Sequence, residues 1–274
     1  MQLTSESLNE NHRPSVYGIS GGRSSAYMLK MAIDNKMLNN TDIFSFQNTG
    51  KEKLETLDFI HKIEQQWNVP IVWLEFIEED PGFVIVDYKT ASREGEPFER
   101  LLQSKSNGNF LPNVMLRLCT YHLKIKTLQA YLKTLGIKKY NAITGIRADE
   151  PKRIIKADIS NLSGKNNYHY ILPLAREVTA SVVNAFWKGS NFDLEIDSVQ
   201  GNCDLCFLKG KAKLIQLIRA DPSMADWWIE QEKKTGKTFH KIYSYSELKH
   251  IALTQTQLIE EYDWNEIECI GCTD

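Results

Sequence analysis

Short apolar runs alternate with amphipathic helical stretches over the first half of this chain, and that alternation restricts its fold more than any other feature. Ser15 to Ser20 (SVYGIS), Asp42 to Thr49 (DIFSFQNT), Pro70 to Phe76 (PIVWLEF) and Asn141 to Ile146 (NAITGI) read as buried strands. A helix opening near Ser24 places Met28, Leu29, Ala32 and Ile33 on one face. Leu54, Leu57, Ile60, Ile63 and Trp67 recur at spacings of three and four, as do Tyr121, Ile125, Leu128, Leu132 and Leu135. Strands joined through helices imply right-handed crossovers and a parallel sheet covered on both faces. The expected class is α/β.

Two stretches break the alternation. Residues 80–118 contain EGEPFER and SKSNGNFLPN, rich in Gly, Asn and Pro, and read as an insertion overhanging the ligand crevice. Beyond about residue 178 the chain becomes helix-rich and carries Trp187, Trp227, Trp228 and Trp264, read as core or interface residues rather than a base-stacking platform. The expected division is a nucleotide-binding domain over 14–178 and a smaller helix-rich region over 179–274. The first 15 residues, MQLTSESLNENHRPS, lack the apolar run of a secretion signal, and no later run is long enough to span a bilayer. The expectation is a cytoplasmic protein with no membrane partner. A net charge of -2 excludes a global positive field, so the basic stretches Lys152 to Lys156 and Lys209 to Lys213 give little support for nucleic-acid binding.

The turn after the first strand reads Ser20-Gly-Gly-Arg-Ser-Ser25. A strand feeding a glycine-rich turn that opens a helix presents backbone N–H groups and a partial charge of roughly +0.5 to whatever occupies the turn. Gly21 and Gly22 would let the backbone approach a phosphate oxygen, Ser20, Ser24 and Ser25 could add hydroxyl donors, and Arg23 a cation. The spacing matches neither common nucleotide fingerprint, and by itself the stretch reads first as a tight turn.

Four of the five cysteines form two CxxC pairs, Cys203 with Cys206 and Cys269 with Cys272, while Cys119 stands alone. A two-residue spacer lets both sulfurs face one metal centre. Cys203, Cys206, Cys269 and Cys272 could close a tetrahedral zinc site. Alternatively Cys119, Cys203 and Cys206 could hold an iron–sulfur cluster, with Cys272 or Cys269 as fourth ligand. A redox couple and inert buried cysteines are the other readings. His122, beside Cys119, is a ligand, a proton donor or polar surface.

Five segments, taken in order, resemble the phosphoadenosine-phosphosulfate (PAPS) reductase branch of the PP-loop ATP pyrophosphatase superfamily. They are the Ser20 to Ser25 loop (SGGxxS), Asn48-Thr49-Gly50 at a strand end, Arg117-Leu-Cys-Thr-Tyr-His-Leu-Lys124, Gly145 to Arg153 (GIRADEPKR) and Gly201 to Lys209 (GNCDLCFLK). The resemblance implies an adenine nucleotide α-hydrolase-like fold, a five-stranded parallel sheet with helices on both faces and the nucleotide over the strands' carboxyl ends. It implies that Arg23, Ser25, Arg147 and Asp149 carry the chemistry. Ser20, Gly21, Gly22, Arg23, Ser24, Ser25, Asn48, Thr49, Lys124, Gly145, Arg147 and Arg153 would bind the nucleotide, Asn48 and Thr49 at ribose or base. Arg147, Lys152 and Arg153 would grip phosphate or sulfate.

The implied activity is cleavage of ATP at its α-phosphate, with Mg²⁺, to adenylate an acceptor for sulfur transfer. A 4Fe-4S cluster on Cys119, Cys203, Cys206 and Cys272 would assist. The alternative is thiol-dependent reduction of an adenylyl sulfate (PAPS or APS), although Glu268-Cys269-Ile270-Gly271 departs by one inserted residue from the reductases' ECG-type tail. A non-catalytic nucleotide-binding protein with structural Zn²⁺ is the reading of another class. Partners implied are a sulfur donor or a thioredoxin-like reductant. The acceptor, whether nucleic-acid base, nucleic-acid backbone or small metabolite, is not legible.

Overall fold

The computed structural model describes residues 13–105, 108, 110–196 and 203–255. Its sheet has six strands: β1 (Ser15–Gly18), β2 (Ile43–Asn48), β3 (Ile71–Phe76), β4 (Phe83–Val86), β5 (Tyr140–Ile143) and β6 (Tyr168–Ile171). The spatial order is β4-β3-β2-β1-β5-β6. Helices α1 (Arg23–Asp34), α2 (Leu54–Trp67), α3 (Glu96–Ser104), α4 (Thr127–Thr134), α5 (Pro151–Ser163) and α6 (Ala180–Lys188) follow the strands. Helices α7 (Lys211–Ala220), α8 (Ala225–Thr235) and α9 (Tyr245–Thr254) come last.

The expected α/β class is present, but the sheet is mixed and six-stranded rather than parallel and five-stranded. All pairings are parallel except β3 with β4. Only residues 77–82 separate β3 from β4. A crossover needs roughly a dozen residues, so the chain can return only as a hairpin and lays β4 antiparallel on the edge. The other edge, β6, is the unread sequence Tyr168-His-Tyr-Ile171. None of its residues is fully buried, so it lacks the apolar run that marks a central strand.

Side-chain alternation along β1 and β2 divides the core. Tyr17, Ile19, Phe44 and Phe46 point to one face, where Met28 and Leu29 of α1 and Leu57 and Ile60 of α2 cover them. Val16 and Ile43 point to the other, covered by Leu132 of α4 with Ile137 and Tyr140. Helix α6 joins the first cluster: Trp187 is 2% exposed and meets Phe59 edge to face at 5.0 Å. The residues just past 178 therefore pack with the sheet.

A further cluster gathers α7, α8 and α9 around Trp228, Phe239 and Tyr245. Phe98, Leu101 and Leu102 of α3 belong to it as well. The 80–118 stretch expected to overhang the crevice thus supplies β4 and a helix that is part of a core. Trp187 and Trp228 are buried, as expected of core residues, and Trp264 lies outside the described residues. Among the described residues no helix is long and apolar enough to cross a membrane.

Candidate functional site

Strand β1 ends at Gly18 and α1 starts at Arg23, so Ile19 to Gly22 must reverse direction at the carboxyl edge of the sheet. Gly21 makes the turn at φ +83, and a Cβ there would lie 2.3 Å from Thr56 Cγ2 of α2. Only glycine fits that position. Gly22 caps α1 with extended backbone and no side-chain cap bond, which leaves the first-turn amides available to an anion. Ser25 is an internal strut. Its Oγ donates to Gly22 O at 2.9 Å and accepts from Ser20 N at 3.2 Å, with Ser20 Oγ at 3.0 Å.

The turn after β5 closes against this loop. A Cβ on Gly145 would come within 2.9 Å of Ser24 O and 3.0 Å of Ser25 Cα, so the two backbones touch only because that residue is glycine. Arg147 then reaches across: Nη1 donates to Ser24 Oγ at 2.9 Å and Nε to Asp149 Oδ1 at 2.9 Å. Its own amide donates to Glu150 Oε2 at 2.8 Å, and Glu150 also pairs with Arg153. Asp149 accepts from Ala180 N at 3.0 Å. Burial raises the Asp149 pKa, but the hydrogen bonds from Ala180 N–H and Arg147 outweigh it and hold the carboxyl below its usual range.

Arg23 is placed differently from its expected role as a phosphate cation. Its Nε and Nη2 grip Asp193 at 2.7 and 2.8 Å, and Nη2 also donates to Leu194 O at 2.6 Å. Trp187 Nε1 donates to Arg23 O at 3.1 Å. The guanidinium therefore clasps the 193–194 segment to the start of α1.

Asn48 and Thr49, expected at ribose or base, are buried and bonded internally. Asn48 Nδ2 donates to Glu75 Oε1 at 2.6 Å and Ser92 O at 2.8 Å, and its Oδ1 accepts from Gly50 N at 3.1 Å. Glu75 further accepts from Ser92 N and Oγ at 2.6 and 2.7 Å. Thr49 N and Oγ1 both donate to Glu52 Oε2 at 2.8 Å. Sequence reasoning missed Glu52 and Glu75. Glu75 was visible as a lone carboxylate inside the apolar run PIVWLEF, whereas Glu52 carried no signal beyond following NTG.

Glu52 leads into a second pocket. Cys119, Cys203 and Cys206 line it together with Thr49, Lys51 and Lys124. Cys203 Sγ donates to Glu52 Oε1 at 3.8 Å, and Lys124 Nζ lies 3.7 Å from the same oxygen. Lys209 Nζ donates to Cys203 O at 2.6 Å. Lys51 pairs with Asp204 at 2.8 Å, and Trp228 Nε1 donates to Asp204 at 3.1 Å. His122 has its pKa pushed down to about 4 by burial and by the nearby cations Lys105 and Lys126, which favours the neutral ring.

Cys269 and Cys272 lie outside the described residues, as do Gly201 and Asn202. Among the described residues no group of three or more His, Cys, Asp or Glu is disposed to hold a single metal ion. Cys119, Cys203 and Cys206 are the sulfur donors that line this pocket.

The family model described as the phosphoadenosine phosphosulfate reductase domain matches residues 14–193. The uncharacterised nin region protein ORF290 of Escherichia phage lambda is 28% identical over 208 residues, covering 73% of this chain and 67% of its own. The crystal structure of PAPS reductase from Candida auris, a phosphate complex, aligns with a TM-score of 0.38 and 15% identity. That alignment covers 69% of this chain and 87% of the other.

Proposed function

The chain belongs to the phosphoadenosine phosphosulfate reductase domain family and is a nucleotide-binding enzyme of it; on that premise we propose that it cleaves ATP at the α-phosphate to adenylate an acceptor for sulfur transfer. The observation that carries this reading is the bond from Arg147 to Ser24, which fixes a cation beside the uncapped start of α1.

Attack at an α-phosphorus builds negative charge on the equatorial oxygens and on departing pyrophosphate. The amides after Gly21 face the equatorial oxygens, and Arg147 supplies the compensating charge without having to reorganise, since Asp149 and Ser24 already hold its guanidinium. Ser25 keeps the loop open by bonding Gly22 O and Ser20 N rather than the ligand. Asp149 is the carboxylate that would share Mg²⁺ with the phosphates. Cys119, Cys203 and Cys206, with Cys272 as fourth ligand, would hold an iron–sulfur cluster whose chemistry is to bind or deliver sulfur. The acceptor oxygen bonds the α-phosphorus as pyrophosphate departs; sulfide-level sulfur from the donor then bonds the acceptor carbon as the carbon–oxygen bond breaks, and that oxygen leaves with AMP.

Thiol-dependent reduction of an adenylyl sulfate to sulfite is the second reading. It draws support from Arg23, whose engagement with Asp193 leaves the loop one cation short of what a pyrophosphate leaving group calls for. Incubation with ATP and acceptor fractions, and separately with PAPS plus a dithiol, tests both. AMP with pyrophosphate is the expected product, and sulfite from PAPS would replace the first reading by the second. Neither product, together with a colourless protein containing tight zinc after anaerobic purification, would leave a non-catalytic nucleotide-binding protein.

A further inference from the structure

Between Glu99 and Asp149 the chain carries no carboxylate and nine Lys or Arg residues. Removing those nine from the chain's 33 cations leaves 24 against 35 carboxylates elsewhere, a net of -11. A protein of near-neutral total charge thus concentrates its positive charge in one stretch, from the end of α3 past Cys119 and along α4. Within the stretch Lys124 pairs with Glu52 and Arg147 with Asp149; cations held without a carboxylate repel one another, and an anionic partner relieves that repulsion.

The structure sets one of these cations, Lys126, against an exposed ring. Lys126 Nζ sits 5.2 Å from the centroid of Tyr121, which meets His122 edge to face at 5.1 Å. Lys105 and Lys126 both act on His122 electrostatically. Tyr121 is 47% exposed, and Met115, in the preceding loop, is 81% exposed. Lys133 follows Lys126 by seven residues, on the same helical face and roughly 10 Å further along the axis. Among the described residues Lys105, Lys126 and Lys133 enter no salt bridge.

A line of cations beside an exposed aromatic side chain is the arrangement that tracks a phosphate backbone while stacking a base. An acidic protein would satisfy the charges but leave Tyr121 and Met115 without a flat partner. We propose that this face docks single-stranded nucleic acid, with the backbone following Lys105, Lys126 and Lys133 and a base stacked on Tyr121. Cys119, two residues before Tyr121, lines the cysteine pocket, while Tyr121 itself is exposed. The docking rests on the proposed function only in making that strand the acceptor.

Anisotropy of a labelled oligonucleotide of about 20 nucleotides, as DNA and as RNA, across a salt series tests the surface. Each single-strand phosphate contact contributes about 0.7 to the slope of log K against log salt, so K105Q/K126Q/K133Q is expected to flatten it by about 2. Tyr121→Ala is expected to weaken binding about tenfold, and Tyr121→Phe to restore it. K188Q/K233Q, which removes two exposed lysines elsewhere, is expected to leave both slope and affinity unchanged. Absence of binding by the intact protein, an unchanged slope in the triple variant, or equal affinity for a blunt duplex would each overturn the proposal. Strand binding without AMP or sulfite production leaves the docking intact and removes the proposed function. Nucleotide cleavage without strand binding does the reverse.

Discussion

The phosphate corner and the cysteine pocket are built from opposite materials. In the corner, backbone and short side chains from β1, α1 and the turn after β5 close on themselves: Gly21 turns, Gly145 touches, Ser25 braces, and one charged bridge from Arg147 completes it. In the pocket, long charged side chains from residues far apart in sequence neutralise one another, Glu52 with Lys124 and Lys51 with Asp204. Steric fit governs the first and charge pairing the second. The corner should fail when a methyl group is added, the pocket when a charge is removed.

The largest effect is expected on the charged side. The Glu52 side chain is 1% exposed and accepts from both groups of Thr49 while facing Lys124 and Cys203. Glu52→Ala leaves Lys124 without this counterion and strands the Thr49 donors, a loss of about 3 kcal/mol. Urea unfolding measures it. Unchanged stability would mean that Glu52 is not holding the pocket together.

On the steric side, Gly21→Ala places a Cβ 2.3 Å from Thr56 Cγ2 at φ +83, and should cost about 2 kcal/mol through clash and strained backbone. ATP binding should fall with it, because the loop amides turn away. Adding Thr56→Ser removes the clashing methyl but not the strain, so G21A/T56S should recover part of the stability. Full recovery would show that the positive φ contributes nothing.

That contrast also explains what could be read in advance. Steric rules are local, so β1, α1, β2, α2 and the Gly21 turn were legible from short runs of Gly, Ser and apolar residues. Charge pairs join residues with no sequence relation, so Glu52 with Lys124, Lys51 with Asp204 and Arg23 with Asp193 were not. The three cysteines could be grouped only through motif order, not from spacing. Asn48 and Thr49, read as ligand contacts from their place at a strand end, bond Glu75 and Glu52, partners that no local pattern announced. The antiparallel β4 escaped notice although the six-residue connection already ruled out a crossover.

Arg23 straddles the comparison, being a charged pair inside the steric corner. If it clasps the 193–194 segment, Arg23→Ala and Asp193→Ala should each cost about 1 kcal/mol, and the double variant little more than either, since both remove one bidentate contact. Chemical unfolding supplies the energies, and ATP titration supplies the second readout. A phosphate-binding Arg23 would instead make Asp193→Ala tighten nucleotide binding by freeing the guanidinium. Additive losses would dissolve the clasp.

The smallest separation is made by pH. His122, near the cysteine pocket, has a native pKa of about 4 against the ordinary histidine value of 6.5, so between those limits the unfolded chain binds the proton and the native one does not. Stability tied to the neutral ring is complete above pH 6.5 and declines as pH falls toward 4. Asp149, in the phosphate corner, has its pKa lowered instead; its contribution is complete above 3.8 and is lost only as pH falls through the native value. Unfolding midpoints followed downward from about pH 7 should therefore respond first to His122→Phe, which flattens the decline between pH 6.5 and 4, and to Asp149→Asn only below that window. A decline that His122→Phe does not alter would place the neutral histidine outside the energetics of the pocket.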